Sequence, residues 1–124
     1  MTVGTEVEPA ASPQVGQATE RMLVAKAAID AALDEAGVIR GHDGGDGRYA
    51  TLVGRERLAG VVVAALRDGR YSVDLYLIAA LVALGPLAER VRAAVLRGVE
   101  GIGLASILGP VDITFLAVEE WPAP

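Results

Sequence analysis

The chain of 124 residues contains no cysteine. That excludes disulfides, thiolate zinc sites and cysteine nucleophiles, and it is compatible with a reducing compartment. Positive charge is in deficit: 11 Lys and Arg stand against 16 Asp and Glu, for a formal charge of −5. A nucleic-acid partner is therefore not expected, because such affinity rests on Lys and Arg contacts and counterion release. Attraction to anionic lipid is disfavoured for the same reason. The longest apolar tract, Leu75 to Leu84, is stopped by Gly85-Pro86, well short of the roughly twenty residues a membrane-spanning helix needs. Direct membrane insertion is not expected. Residues 1–17 lack the basic-then-apolar layout of a secretory signal and read as a disordered leader.

What remains is a chain 52% hydrophobic and 22% charged, apolar enough to offset the entropy of ordering by burial. One domain over 18–119 is expected, followed by a short tail, 120–124, that holds Trp121. Thr19 is the expected N-cap of a helix ending near Ala36, with Gly37 taking the left-handed position. Met22, Ala25, Ile29, Ala32, Leu33 and Ala36 give that helix an apolar stripe. Gly41 to Gly47 reads as a flexible glycine loop.

Strands are expected at Tyr49–Val53, Leu58–Leu66 and from Tyr71 onward, with Asp68-Gly69 forming a hairpin turn. In the last of these, Val73, Leu75 and Leu77 share one face, and Ser72, Asp74 and Tyr76 the other. Both faces turn apolar from Ile78, so that end should be covered on both sides. Pro86 suits the first turn of a second helix carrying the stripe Leu87, Val91, Val95, Val99 and Ile102, which closes by Gly101 to Gly103. A final strand runs Val111–Val118, where the intervening helix permits parallel pairing beside the Tyr71 strand. The expected fold is α+β: a two-layer module in the order helix, three strands, helix, strand, with a mainly antiparallel sheet packed against two helices.

The runs Val73-Asp74-Leu75-Tyr76-Leu77-Ile78, Pro86 to Val95 and Val111-Asp112-Ile113, together with the ending Ala36-Gly37-Val38, resemble the alkaline shock protein family of bacterial envelope stress response proteins. The resemblance spans Met22 to Glu119. The chain departs from the family at Ala80-Leu81-Val82-Ala83-Leu84-Gly85, where a Tyr-Gly pair and a polar loop are usual. The resemblance implies a non-enzymatic cytoplasmic protein of cell-envelope homeostasis, held at the inner face of the membrane by a separate anchor protein. It offers no catalytic residues and no cofactor.

Read on their own chemistry, the candidate residues are few. His42, Asp43 and Asp46 form a cluster of metal-ligand types, which makes a metal- or small-molecule-binding enzyme subunit the alternative function; the other reading is a solvated loop. An EF-hand is excluded, since Gly45, Gly47 and Gly54 fall where oxygen ligands are needed. Gly98-Val99-Glu100-Gly101 matches a GxxG phosphate loop in form, but its glutamate opposes that use and helix termination explains the glycines. Arg55, Arg57, Arg67 and Arg70 crowd two β turns, as a basic patch or as turn solubility. Asp74 is an acid without a second acid or base at a predictable spacing. Ser72, Ser106 and Thr114 lack a nucleophile-elbow pattern. The expected interaction surface is Tyr76, Ile78, Ala80 and Val82, with Arg67 and Arg70. Two readings of Tyr76 to Val82 stay open, a protein interface that supports homo-oligomers or a face covered by the first helix and the leader.

Overall fold

The computed structural model describes residues 7–121, with side chains from residue 19. It has two helices, α1 (Val7–Leu33) and α2 (Leu84–Gly101), and six strands: β1 (Val38–Gly41), β2 (Ala50–Val53), β3 (Glu56–Ala59), β4 (Val61–Ala65), β5 (Tyr71–Ala80) and β6 (Leu108–Glu119). This is the expected α+β class, with a mainly antiparallel sheet against two helices.

β5 is the centre of the sheet because its alternation makes it so. Val73, Leu75, Leu77 and Ala79 are fully buried on the helix side. The opposite side carries half-buried Ser72, Asp74 and Tyr76, then buried Ile78 and Ala80, as the sequence pattern predicts. Along one side of β5, β4 pairs antiparallel from Ala65↔Tyr71 to Val61↔Leu75, and β1 follows end to end from Gly41↔Leu77 to Val38↔Ala79. They meet at Tyr76, whose N–H donates to Gly60 O at 2.8 Å and whose carbonyl accepts from His42 N at 2.9 Å. Along the other side, β6 runs parallel from Tyr71↔Leu108 to Ala80↔Glu119. The parallel crossover through α2 is as expected.

The helices cover one face. α2 buries Leu87, Val91, Val95 and Val99 completely, a one-sided stripe at helical spacing. Ile102, expected in that stripe, is 46% exposed, since the helix ends at Gly101 and turns away. Gly98 is not a terminating residue either. It lies inside α2 where a Cβ would come within 3.2 Å of Ala31 Cβ and 3.3 Å of Ala27 O, so the GxxG match is a close helix–helix approach.

Three further differences concern boundaries. α1 starts at Val7, so residues 7–17, expected as a disordered leader, are helical in backbone, and Thr19 lies inside the helix. Apolar periodicity reports where a helix packs, and among the described side chains the fully buried positions begin at Val24 and Ala25; Leu33 and Ala36 fall off the buried stripe. Residues 1–6 and 122–124 lie outside the described residues. The segment Leu58–Leu66, expected as one strand, breaks at Gly60 into β3 and β4. β3 instead pairs with β2 in a separate two-stranded sheet, Ala50↔Ala59 to Val53↔Glu56. Finally, Asp68-Gly69 sits in a three-residue connection closed by Leu66 N donating to Arg70 O at 2.8 Å, with Gly69 at φ +88°. That geometry is the bulged hairpin loop rather than the two-residue turn.

Candidate interaction surface

The sequence-predicted residues do not form one surface. Ile78 is 3% exposed and Ala80 fully buried, so neither is available on the outside of a single chain. The reason lies across the sheet: Arg40 on β1 reaches over β5 to Glu119 at the end of β6, making two hydrogen bonds of 3.0 and 2.7 Å. Arg40 is the register partner of Ile78, and Glu119 that of Ala80, so the ion pair crosses the strand above both. Tyr76 is half-buried and stacks on Tyr49 with ring centroids 3.8 Å apart and planes 11° from parallel. Its hydroxyl pKa is raised, first by burial and then by the charge of Asp74. Arg70 pairs with its turn neighbour Asp68 at 2.8 Å, and Arg67 is exposed in the same turn. Arg55 and Arg57 belong to the β2–β3 hairpin, where Arg57 pairs with Asp43 at 3.2 Å. The four arginines are thus divided between two turns, with two of them paired to carboxylates.

The His42 loop is organised by internal bonds. His42 Nδ1 accepts from Gly44 N at 2.9 Å, and Asp43 Oδ1 from Gly45 N at 2.8 Å. Asp46 holds Arg48 at 2.9 Å, and the Arg48 guanidinium and backbone N–H hold its carboxyl down at about 2. Among the described residues no group of three His, Asp or Glu gathers to hold a metal ion. Ser72 Oγ donates to Ala64 O at 3.4 Å. Ser106 lies in a one-turn 3-10 helix (Ala105–Ile107), and Thr114 is exposed on β6.

What Val82 shares its surroundings with is more informative. Val82 is 38% exposed, and beside it Leu81 is 75% exposed. Because β5 and β6 are parallel and end together, Leu81 and Val82 leave the sheet at the same end as Leu116, Val118 and Trp121, which are 40%, 41% and 55% exposed. β6 also forms the border of the sheet: β5 is its only strand partner among the described residues. Between β6 and α2 runs a mostly apolar cleft of about 480 Å³ whose walls include Ala93, Leu96, Leu108 and Val111.

One site the sequence could not show is a pair of acids. Asp74 and Asp112 are register partners on β5 and β6 and share the face away from the helices. Burial, and then the Asp112 charge, raise the Asp74 pKa. A raised carboxyl pKa means the folded chain holds a proton more tightly than the unfolded one. Stability is then highest below the unfolded carboxylate range and is lost as pH rises through the folded pKa. Asp74→Asn should accordingly stabilise the chain at neutral pH by about 0.5 kcal/mol, the scale of a like-charge cross-strand pair. The gain should vanish in acid, which paired urea titrations across pH would read.

No protein-family model matches the chain, and neither a search of curated proteins nor one of solved structures finds a match. Among the described residues no helix is long and apolar enough to cross a membrane.

Proposed function

We propose that the chain is a non-enzymatic protein-association domain of the alkaline shock type, acting in bacterial cell-envelope homeostasis and stress response. It works at the cytoplasmic face of the membrane, by self-association and by binding a membrane-anchor protein. The observation that carries this reading is the open border of β6 leading into the exposed apolar end formed by Leu81, Val82, Val118 and Trp121. Exposed apolar patches beside an unpaired strand are the features by which soluble domains recognise other proteins. The alternative, an enzyme subunit binding a metal or small molecule through the His42 loop, has less support. His42 Nδ1, Asp43 and Asp46 are each engaged in loop-forming bonds or arginine pairs.

The test is quantitative recovery of the tagged full chain from its host, with membrane and soluble fractions kept apart. The expected result is one recurrent membrane protein in the membrane fraction. Its recovery should fall by about tenfold or more when Leu81 and Trp121 are both changed to aspartate, as expected for an aromatic-centred contact. An unchanged recovery with that variant, or no recurrent partner, overturns the reading.

A further inference from the structure

We infer that the open side of β6 is completed by β6 of a second copy of this chain, paired antiparallel about a two-fold axis at Ile113; this deepens the association reading and rests on it. Arg92 Nε donates to Val111 O at 3.1 Å. A carbonyl directed at β5 would lie between the strands, out of a guanidinium's reach, so Val111 turns its polar groups to the open side. By the alternation of a strand, Ile113 and Phe115 do the same before the irregularity that separates the Leu77↔Phe115 and Ile78↔Ala117 pairs. Ile113 and Phe115 can exchange ladder bonds with a neighbour, and Val111 can join them through its N–H and the second lone pair of the carbonyl that already accepts from Arg92.

The side chains then select both the neighbour and its register. About Ile113, each Ile113 faces its own copy and Val111 faces Phe115, an aromatic with β-branched pair of the favoured kind. Asp112 faces Thr114, so no like charges are opposed. An axis at Asp112 would set two carboxylates against each other. An axis at Thr114 would set Asp112 against Leu116 and run Val111 into the irregular stretch. The flank of α2 is also self-complementary. Glu89 and Arg92, bonded at 2.8 Å within the helix, border the cleft with Leu96, which is 46% exposed. A two-fold at Ile113 brings the Glu89 of one copy towards the Arg92 of the other. Isologous contacts of this kind join the same patch on both subunits.

The absence of native cysteine allows a direct test with single introduced thiols. Asp112 and Thr114 are both exposed, so Asp112→Cys and Thr114→Cys leave the core untouched. When the two full-length variants are mixed and oxidised, the cross-linked dimer should exceed that of either alone by about tenfold. Directly opposed residues of the wide pairs hold their Cα atoms about 4.5 Å apart, inside disulfide range, while like residues lie diagonally. Trp121→Cys should not cross-link, because the two sheet ends point apart. A wild-type chain that sediments as a dimer, with this cross-linking pattern, supports the pairing. A dimer that cross-links through Trp121→Cys instead, or a chain monomeric at every concentration, overturns it. Loss of the membrane partner in the recovery experiment is a separate result that bears on the association reading alone.

Discussion

Gly60→Ala should lower the free energy of unfolding by about 3 kcal/mol, combining the strain of a left-handed non-glycine residue with that of overpacking. Gly60 sits at φ +88° where the chain leaves the β2–β3 hairpin and enters the main sheet. A Cβ there would stand 2.6 Å from Tyr76 O, 2.7 Å from Gly41 Cα and 2.9 Å from His42 N. All three are backbone atoms, and two of them belong to the hydrogen bond that His42 N donates to Tyr76 O. None can swing aside as a side-chain tip would. Gly69→Ala is the matched control: its φ is also +88°, but nothing lies within 4 Å of the added Cβ. It should cost only the conformational part, about 1 kcal/mol. Urea midpoints of the two variants, compared at equal slope, separate strain from collision. A Gly60→Ala loss no larger than that of Gly69→Ala would mean that β1 and β4 do not abut at Tyr76 as described.

This junction also marks where the sequence stops being readable. Alternation in β5 states which residues face the helices, because a strand covered on one side must repeat every second residue. The α2 stripe is legible for the same reason at helical spacing. Nothing local announces that Gly60 divides one apolar run between two sheets, since Leu58-Ala59 and Val61-Val62 carry the same β-favouring signal on either side. β1, four residues directly after the α1 turn, is too short for its periodicity to register. The surface was less legible still. Burial of Ile78 and Ala80 depends on Arg40 meeting Glu119 across β5, and the Asp74–Asp112 pair depends on parallel register. Both join residues far apart in the chain, and a single sequence holds no spacing rule for either. Val82 could be read as exposed, but its company at the sheet end follows only from β5 and β6 finishing together.

Leu75→Ala should cost about 3 kcal/mol, within the range for leucines deleted from a packed core. Leu75 is fully buried and is the register partner of Val61 on β4 and Ile113 on β6. It is thus the middle of a row running across three strands beneath the helix layer. Removing its side chain loses the transfer free energy and leaves a cavity that β5, held by hydrogen bonds on both sides, cannot collapse to fill. Leu52→Ala removes the same atoms from a residue 69% exposed on the small hairpin and should change stability by less than about 0.5 kcal/mol. Circular dichroism during urea unfolding of both variants reads the contrast; equal losses would place Leu75 outside the core. The position in the row has a second consequence. The cavity opens against Ile113, the residue placed on the two-fold axis, so Leu75→Ala should weaken self-association together with the fold. Gly69→Ala, in the hairpin turn between β4 and β5, should lower stability and leave association unchanged. A variant pair that divides this way would tie the open edge to the packing of the core beneath it.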